Sequence, residues 1–151
     1  MKAGIRVNKA TRNELESIIM LDSMVPNHPN REGFLSKAVK SGGCLVAKIE
    51  DTLVGYGVVD RSFYGESFIW LLLVHPDFRL RGVATAIVGH IESVCPTEKL
   101  FTSTNESNTS SQKVFETLGF VKSGYIENLD VGDPEIVYFK RMNNSISGPW
   151  F

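Results

Sequence analysis

The sequence predicts a single α/β (α+β) domain in which helices flank one mixed central sheet. Segments typical of strands and helices follow one another in the order β-α-α-β-β-β-α-β-α-β-β. The run 68–74 is apolar at consecutive positions, as expected for a strand covered on both faces. The chain has 151 residues, 42% of them hydrophobic, which suits one domain with a continuous core. We expect this domain over residues 1–142, with a C-terminal tail over 143–151.

The N-terminal part is predicted to hold a strand near 5–7 and a helix over about 12–24. Thr11 and Glu14 have the spacing of a capping box. An apolar stripe at helical spacing follows them, made of Leu15, Ile18, Ile19 and Leu21. Two prolines and two asparagines within 25–30 end this helix.

Asn30 is then placed to cap a second helix, whose inward residues would be Phe34, Leu35, Ala38 and Val39. Strands over 44–50 and 53–60 follow, with Asp51-Thr52 as the hairpin turn between them.

The C-terminal half begins with a strand, helix and strand over 67–74, 82–94 and 100–103, which should run parallel with a right-handed crossover. Val83, Ile87, Ile91 and Val94 share one side of this helix. Gly89 inside it costs about 1 kcal/mol relative to Ala, so we expect close packing there. A further helix starts at Asn108 or Thr109, with Val114, Phe115 and Leu118 inward, and ends at Gly119. Strands near 120–127 and 135–142 complete the order.

Charge and composition exclude several classes of function. Sixteen basic and 17 acidic residues give a net charge of −1, without the basic excess of a general nucleic-acid binder. No apolar run has transmembrane length, and residues 1–9 show no secretory signal, so we expect a cytoplasmic protein that does not bind membranes. Cys44 and Cys95 are expected in the core. The cysteines and histidines lack metal-ligand spacing, so no metal is predicted.

Two interpretations of the tail stay open. It is a frayed end, or Trp150 and Phe151 dock on a neighbouring subunit and make the protein a homodimer.

The segment 79–85 carries the strongest functional signal. It follows the apolar strand and opens the helix over 82–94, and a helix start has unpaired N–H groups at the positive end of its dipole. Such a helix start binds phosphate without a special side chain. Gly82 allows close approach of the backbone, and Arg79 and Arg81 add charge for a polyanion. The pattern taken alone also fits an ordinary exposed basic loop. Neither a P-loop nor a GxGxxG turn occurs in the chain.

At two motifs the chain resembles the GNAT acetyltransferase superfamily. The first is Arg79-Leu80-Arg81-Gly82-Val83-Ala84, which is similar to the family's coenzyme A loop of Gln or Arg, two residues, Gly, one residue, and Gly or Ala. The second, residues 108–120, begins with Asn108 and closes in Gly119-Phe120, like the Asn-led second motif of the family.

The resemblance implies acetyl-coenzyme A as donor, a primary amine of a small molecule or peptide as acceptor, and direct transfer between them. It also implies two parallel strands that splay near Leu72 and Thr102, with the acetyl-pantetheine arm between them. The coenzyme-binding residues that it implies are Leu72, Leu73, Val74, Arg79, Leu80, Arg81, Gly82, Val83, Ala84, Thr85, Asn108, Ser111 and Phe115. Asn108 also fits a plain helix cap, and Ser111 a solvent-facing helix residue.

The chain departs from the family at two catalytic positions. Many members have a Tyr, thought to protonate the leaving thiolate, where Phe115 stands. Many protein N-terminal acetylating members have a Glu base on the strand near position 103, where this chain has Ser103. Tyr125, Glu106 and Tyr138 are the candidate catalytic substitutes. Each also fits an ordinary structural role, as a strand aromatic or a solvated charge.

In this family residues 22–34 and 125–138 would line the acceptor pocket. The acidic segment 127–135 fits either a rim for a cationic amine or a solvated hairpin loop. Three hypotheses therefore stand: an N-acetyltransferase, a non-catalytic acyl-coenzyme A sensor of the same fold, and an interaction domain that binds no coenzyme.

Overall fold

The computed structural model describes residues 4–26 and 29–142. The predicted tail over 143–151, with Trp150 and Phe151, lies outside the described residues. Seven strands form one mixed sheet in the order β1-β2-β3-β4-β5-β7-β6, and helices flank it. The strands are β1 (Ile5–Lys9), β2 (Cys44–Ile49), β3 (Thr52–Phe63), β4 (Glu66–Val74), β5 (Lys99–Asn105), β6 (Val121–Ile126) and β7 (Glu135–Arg141). The helices are α1 (Leu15–Asp22), α2 (Glu32–Ser41), α3 (Val83–Val94) and α4 (Thr109–Thr117), with short 3-10 turns at Arg12–Glu14 and Pro76–Phe78.

The chain divides into two compact units. The first comprises residues 1–59 and 71–91, and the second 60–70 and 92–151. Among the described residues, no helix is long and apolar enough to cross a lipid bilayer.

The first unit packs α1 and α2 against the strand trio β1-β2-β3, which is antiparallel throughout. The predicted capping box forms, since the Glu14 carboxylate accepts from the Thr11 N–H at 2.8 Å. The N-cap of α2 is Arg31, one residue later than predicted, although the Asn30 Oδ1 accepts from the Glu32 N–H at 3.0 Å. The apolar core between these helices and strands contains Ile18, Leu21, Leu35, Ala38, Cys44, Val46, Tyr56 and Val58.

The second unit is built on β5, which pairs with β4 in parallel and with β7 antiparallel. The strand β6 pairs with β7 on its other side. Phe115 of α4 packs against Tyr138 of β7 and against Phe120, which follows the helix. Gly119, at φ 94°, ends the α4 region as predicted, since this backbone conformation favours Gly.

The predicted order of elements, the parallel β4–β5 pair and the two buried cysteines are confirmed. The β2–β3 turn is one residue earlier than predicted: Glu50 and Asp51 form it, and Thr52 already pairs with Ile49. The predicted inward positions of Phe34, Val94 and Val114 are wrong, because these side chains are exposed. Each lies at the border of its helix's apolar stripe, where periodicity alone does not separate core from surface.

The glycines of the sheet, and not Gly89, are the closely packed ones. Space within 4 Å of a Cβ at Gly89 is open, so the expectation of tight packing there is wrong. A Cβ at Gly55 would lie 2.9 Å from the carbonyl oxygen of Leu73 and 2.9 Å from Cγ1 of Val83. Gly55 therefore allows the first turn of α3 to sit directly on β3.

We predict that Gly55→Ala lowers the free energy of unfolding by about 1–3 kcal/mol, because the methyl group must displace a backbone carbonyl and a core side chain. Gly89→Ala is the matched control. At that open, exposed helix position the same change should raise stability by about 1 kcal/mol. Urea unfolding of both variants measures the difference, and equal stability of the two would contradict the packing described here.

Candidate functional site

The turn after β4 is held by its own side chains. The N–H of Asp77 donates to Nδ1 of His75 at 3.0 Å, and the His75 and Phe78 ring centres lie 5.4 Å apart. The guanidinium carbon of Arg81 lies 5.1 Å from the Phe78 ring centre, a cation–π arrangement. The turn thus has a defined conformation although its residues are largely at the surface.

The backbone leading into α3 has two residues in the left-handed region, Leu80 at φ 62° and Gly82 at φ 84°. The first bond of the helix runs from the Ala86 N–H to the Gly82 carbonyl at 2.9 Å. The N–H groups of Val83, Ala84 and Thr85 precede that bond, so the helix ladder provides no acceptor for them. Gly82 brings no side chain that caps them, and a Cβ placed there would meet nothing within 4 Å.

On β4 the backbone groups of Leu72 and Val74 face away from β3. The His75 N–H donates to the Val54 carbonyl at 2.8 Å, and the Leu73 oxygen also lies against β3, beside Gly55. Because the backbone groups of successive residues point to alternate sides of a strand, the N–H and C=O of Leu72 and Val74 point to the opposite edge of β4.

In the second unit the registered pairs between β4 and β5 run from Ser67↔Leu100 to Ile69↔Thr102. At the last pair the Thr102 hydroxyl donates to the Ile69 carbonyl at 2.9 Å. The strand β5 continues for three more residues paired to β7, ending at Asn105↔Glu135. The Ser103 hydroxyl donates to the Glu135 carboxylate at 2.7 Å.

Asn108 caps α4, since its Oδ1 accepts from the Ser111 N–H at 3.1 Å. Asn108 is exposed and Ser111 is half-buried. The Gln112 amide donates to the Glu106 backbone carbonyl at 2.6 Å, which holds the segment that leads into α4 against the helix. A shallow groove of about 430 Å³ runs along α4, lined by Thr109, Ser110, Gln112, Lys113 and Glu116.

The three candidate catalytic side chains have different environments. Tyr138 is fully buried and its hydroxyl donates to the Glu116 carboxylate at 3.0 Å. Burial, with the nearby Glu116 charge, raises the pKa of Tyr138 to about 12. Tyr125 on β6 is 55% exposed, and the Glu106 side chain is exposed as well.

The first unit holds the implied coenzyme residues from Leu72 to Thr85 in one continuous segment. The second unit holds Asn108, Ser111 and Phe115 on α4 or at its start, together with the candidate catalytic residues. Of this second set, Phe115 and Tyr138 are in direct contact, with ring centres 5.6 Å apart.

A buried polar cluster of Asp22, Arg31 and Tyr56 was not predicted from the sequence. One signal for it existed: Asp22 lies four residues after Ile18, on the inward stripe of α1, where a carboxylate needs a partner. Across the described ranges, no three His, Cys, Asp or Glu side chains group as metal ligands would.

Comparison with known proteins decides the family. Residues 9–120 match the model of the acetyltransferase (GNAT) family. The chain belongs to this family. An acetyltransferase of the GNAT family from Bacillus cereus has 37% sequence identity and a TM-score of 0.88, over 93% of this chain and 99% of that one.

Two further relatives are informative in different ways. The L-2,4-diaminobutyric acid acetyltransferase of Vibrio cholerae is 31% identical over 90 residues, which cover 56% of this chain and about half, 52%, of that relative. The yncA protein of Salmonella typhimurium, solved with its cofactor acetyl-CoA, has a TM-score of 0.75 at 14% identity, over 95% of this chain and 96% of that one. This last likeness shows the shared fold.

The raised pKa of Tyr138 makes stability depend on alkaline pH. The phenol ionises near pH 10 in the unfolded chain and at about 12 in the folded one. The resulting stabilisation is therefore present below about pH 10 and lost as pH rises through about 12. We predict that the wild type loses on the order of 2 kcal/mol more than Tyr138→Phe across this range, measured by urea unfolding at a series of pH values. Parallel curves for the two proteins would contradict the assignment.

Proposed function

We propose that this protein transfers the acetyl group of acetyl-coenzyme A to a primary amine. The observation that carries the proposal is the uncapped start of α3 at Gly82, exposed and preceded by the left-handed Leu80. Successive N–H groups in such a backbone form a concave anion site at the positive end of a helix dipole. A diphosphate supplies the matching charge and acceptor oxygens.

Arg79 and Arg81 support this assignment because both are exposed beside the helix start. Arg81 is held over Phe78, so less side-chain entropy is lost when it binds a phosphate. The N–H groups from Leu80 to Thr85 would bind the diphosphate in this proposal.

The backbone of β4 supports binding of the thioester. Groups of Leu72 and Val74 face the edge opposite to β3, so their N–H and C=O are directed to a ligand lying along that edge. An N–H aimed at the carbonyl oxygen would stabilise the oxyanion that forms when the amine attacks. We further propose that Asn108, Ser111 and Phe115 contact the pantetheine arm, as the family resemblance implies.

Direct transfer needs a neutral amine and an expelled thiolate. An alkyl amine has a pKa near 10.4 and a thiol one near 8.5, so proton removal from the amine is the more demanding step at neutral pH. Phe115 has no proton to donate. Of the candidate acids we favour Tyr125, because this residue is 55% exposed whereas Tyr138 is buried and its hydroxyl donates to Glu116. Glu106 is the proposed base.

The name of the Vibrio cholerae relative, L-2,4-diaminobutyric acid acetyltransferase, favours a small-molecule amine as the acceptor. Three further proposals are a peptide amine as the alternative acceptor, location in the cytoplasm, and assembly as a homodimer. The alternative function is a non-catalytic acyl-coenzyme A sensor. Phe115 and Ser103 favour that alternative, because they stand where family members have an acid and a base.

Coenzyme binding can be tested at Gly82. We predict that Gly82→Asp weakens coenzyme A binding at least tenfold in calorimetry, because a carboxylate replaces the space for the diphosphate. The matched control is Gly65→Asp, which adds the same charge at another exposed glycine with positive φ (78°) and open surroundings. Equal affinity of Gly82→Asp and the wild type would refute the loop assignment.

Acetyl transfer itself is tested by incubating the protein with acetyl-coenzyme A and a panel of amines, and measuring release of free thiol. We expect turnover with at least one primary amine. Thiol release that stays at the uncatalysed rate across the panel, with coenzyme A bound, would favour the sensor.

The thiol-release assay also tests Tyr125 as the proposed general acid. We expect Tyr125→Phe to lower kcat about 100-fold, within the usual contribution of a general acid. Adding Phe115→Tyr to that variant should restore much of the loss. An unchanged kcat in Tyr125→Phe would remove Tyr125 from the mechanism.

A further inference from the structure

Asp22, Arg31 and Tyr56 form a polar cluster inside the first unit. Asp22 ends α1 and is 1% exposed, and Tyr56 of β3 is completely buried. Arg31 precedes α2 and contacts the carboxylate twice, from Nε at 3.2 Å and from Nη2 at 2.7 Å. The Tyr56 hydroxyl donates to the same carboxylate. Asp22 is therefore charge-balanced and bonded on both oxygens.

The ion pair holds the guanidinium side-on. Two of its five N–H donors, one on Nε and one on Nη2, point to Asp22. Within the described ranges Nη1, on the opposite edge, forms no hydrogen bond or ion pair, so this edge could bind a second planar acceptor. A quarter of the Arg31 side-chain surface is exposed, whereas the Asp22 side chain is not. Although burial opposes the charge, the Asp22 carboxylate raises the pKa of Arg31, with Tyr56 contributing, so the guanidinium stays protonated.

The cluster lies on the face of the sheet that bears the acyl-binding part of β4. Leu71 and Leu73 pack against the same apolar core as Tyr56. Leu73 is flanked by Leu72 and Val74, whose backbone groups are the proposed contacts of the thioester. An acceptor that approaches the thioester from the side of α1 and α2 would arrive on the same face of the sheet as this fixed guanidinium.

We propose that Arg31 binds a carboxylate of the acceptor, which makes the substrate class a primary amine that also carries a carboxylate, such as a diamino monocarboxylic acid. Planar, bidentate recognition of carboxylate is what guanidinium does better than ammonium. Asp22 is then a positioning residue that keeps Arg31 in one orientation, and Tyr56 supports Asp22. This inference rests on the proposed acetyl transfer for its location, and its test has a readout that does not need turnover.

Pairs of amines that differ only by the carboxylate give the sharpest test. Lysine is compared with cadaverine and ornithine with putrescine, each diamine being the decarboxylated form of the amino acid. We expect kcat/KM for the better amino acid to exceed that for its diamine by at least tenfold in the wild type, mostly through KM. Equal or higher kcat/KM for both diamines would overturn the proposal.

Variants separate recognition from folding. Arg31→Gln alone removes the cation that balances the buried Asp22 carboxylate, so it is combined with Asp22→Asn to leave the net charge of the pair unchanged. This double variant should lose the preference for the amino acid, because kcat/KM for the amino acid falls at least tenfold more than kcat/KM for the diamine. Tyr56→Phe is the matched control, since it removes a partner of Asp22 but keeps the guanidinium, and it should retain the preference. Loss of the preference in Tyr56→Phe but not in the double variant would contradict the assignment.

Binding is measured independently, with coenzyme A present, by following the Arg31 Nε–H signal in NMR while lysine or cadaverine is added. Lysine should shift this signal in a saturable way, and cadaverine should not. If no amine is acetylated but lysine still shifts the signal, the proposed function fails and the carboxylate site stands. If amines are acetylated and lysine leaves the signal unmoved, the carboxylate site fails and the proposed function stands.

Discussion

The unpaired backbone N–H groups at the first turn of α3 are the constraint on which the proposed chemistry depends. A helix start in a protein normally takes a Ser, Thr, Asp or Asn cap, which satisfies one of these donors. Here the residue before the helix is Gly82, and Leu80 takes a left-handed conformation two residues earlier. The donors of Val83, Ala84 and Thr85 are therefore left to solvent or to a ligand. An anion with several oxygens is the natural complement of this backbone.

The packing beneath that turn explains why it lies where it does. Gly55 has no side chain, so Val83 can contact β3 and the Leu73 carbonyl can lie against it. Gly57 does the same for Ile87, one turn further along α3, because a Cβ there would lie 2.9 Å from the Ile87 Cγ2. These two glycines bring the helix start and the β4 backbone close to the same strand. In the proposed function, the diphosphate and the thioester would therefore bind to segments that share this support.

At α4, Phe115 stands where the resemblance to the family implies a Tyr acid. The Phe115 ring packs against Tyr138, whose hydroxyl donates to the Glu116 carboxylate. This arrangement stabilises the contact between α4 and β7. It does not provide a free proton donor, because the Tyr138 hydroxyl already donates to Glu116. It explains why we favour Tyr125, at the surface of β6, as the acid. Because the Tyr138 hydroxyl is buried against Glu116, the expected loss of folding stability at alkaline pH reports the ionisation of this phenol.

Local signals in the sequence determined the order of elements, the helix caps and the two motifs of the family. Thr11 with Glu14, Asn30 before α2 and Gly119 after α4 act within one turn of chain, so their roles follow from neighbouring residues alone. Only the tertiary structure decided the rest. Asp22 and Tyr56 are 34 residues apart in the chain, yet they share one hydrogen bond. The close packing expected at Gly89 occurs instead at Gly55, and Val94 faces outward. Such contacts join distant segments, and the periodicity of a single helix or strand carries no information about what lies against it.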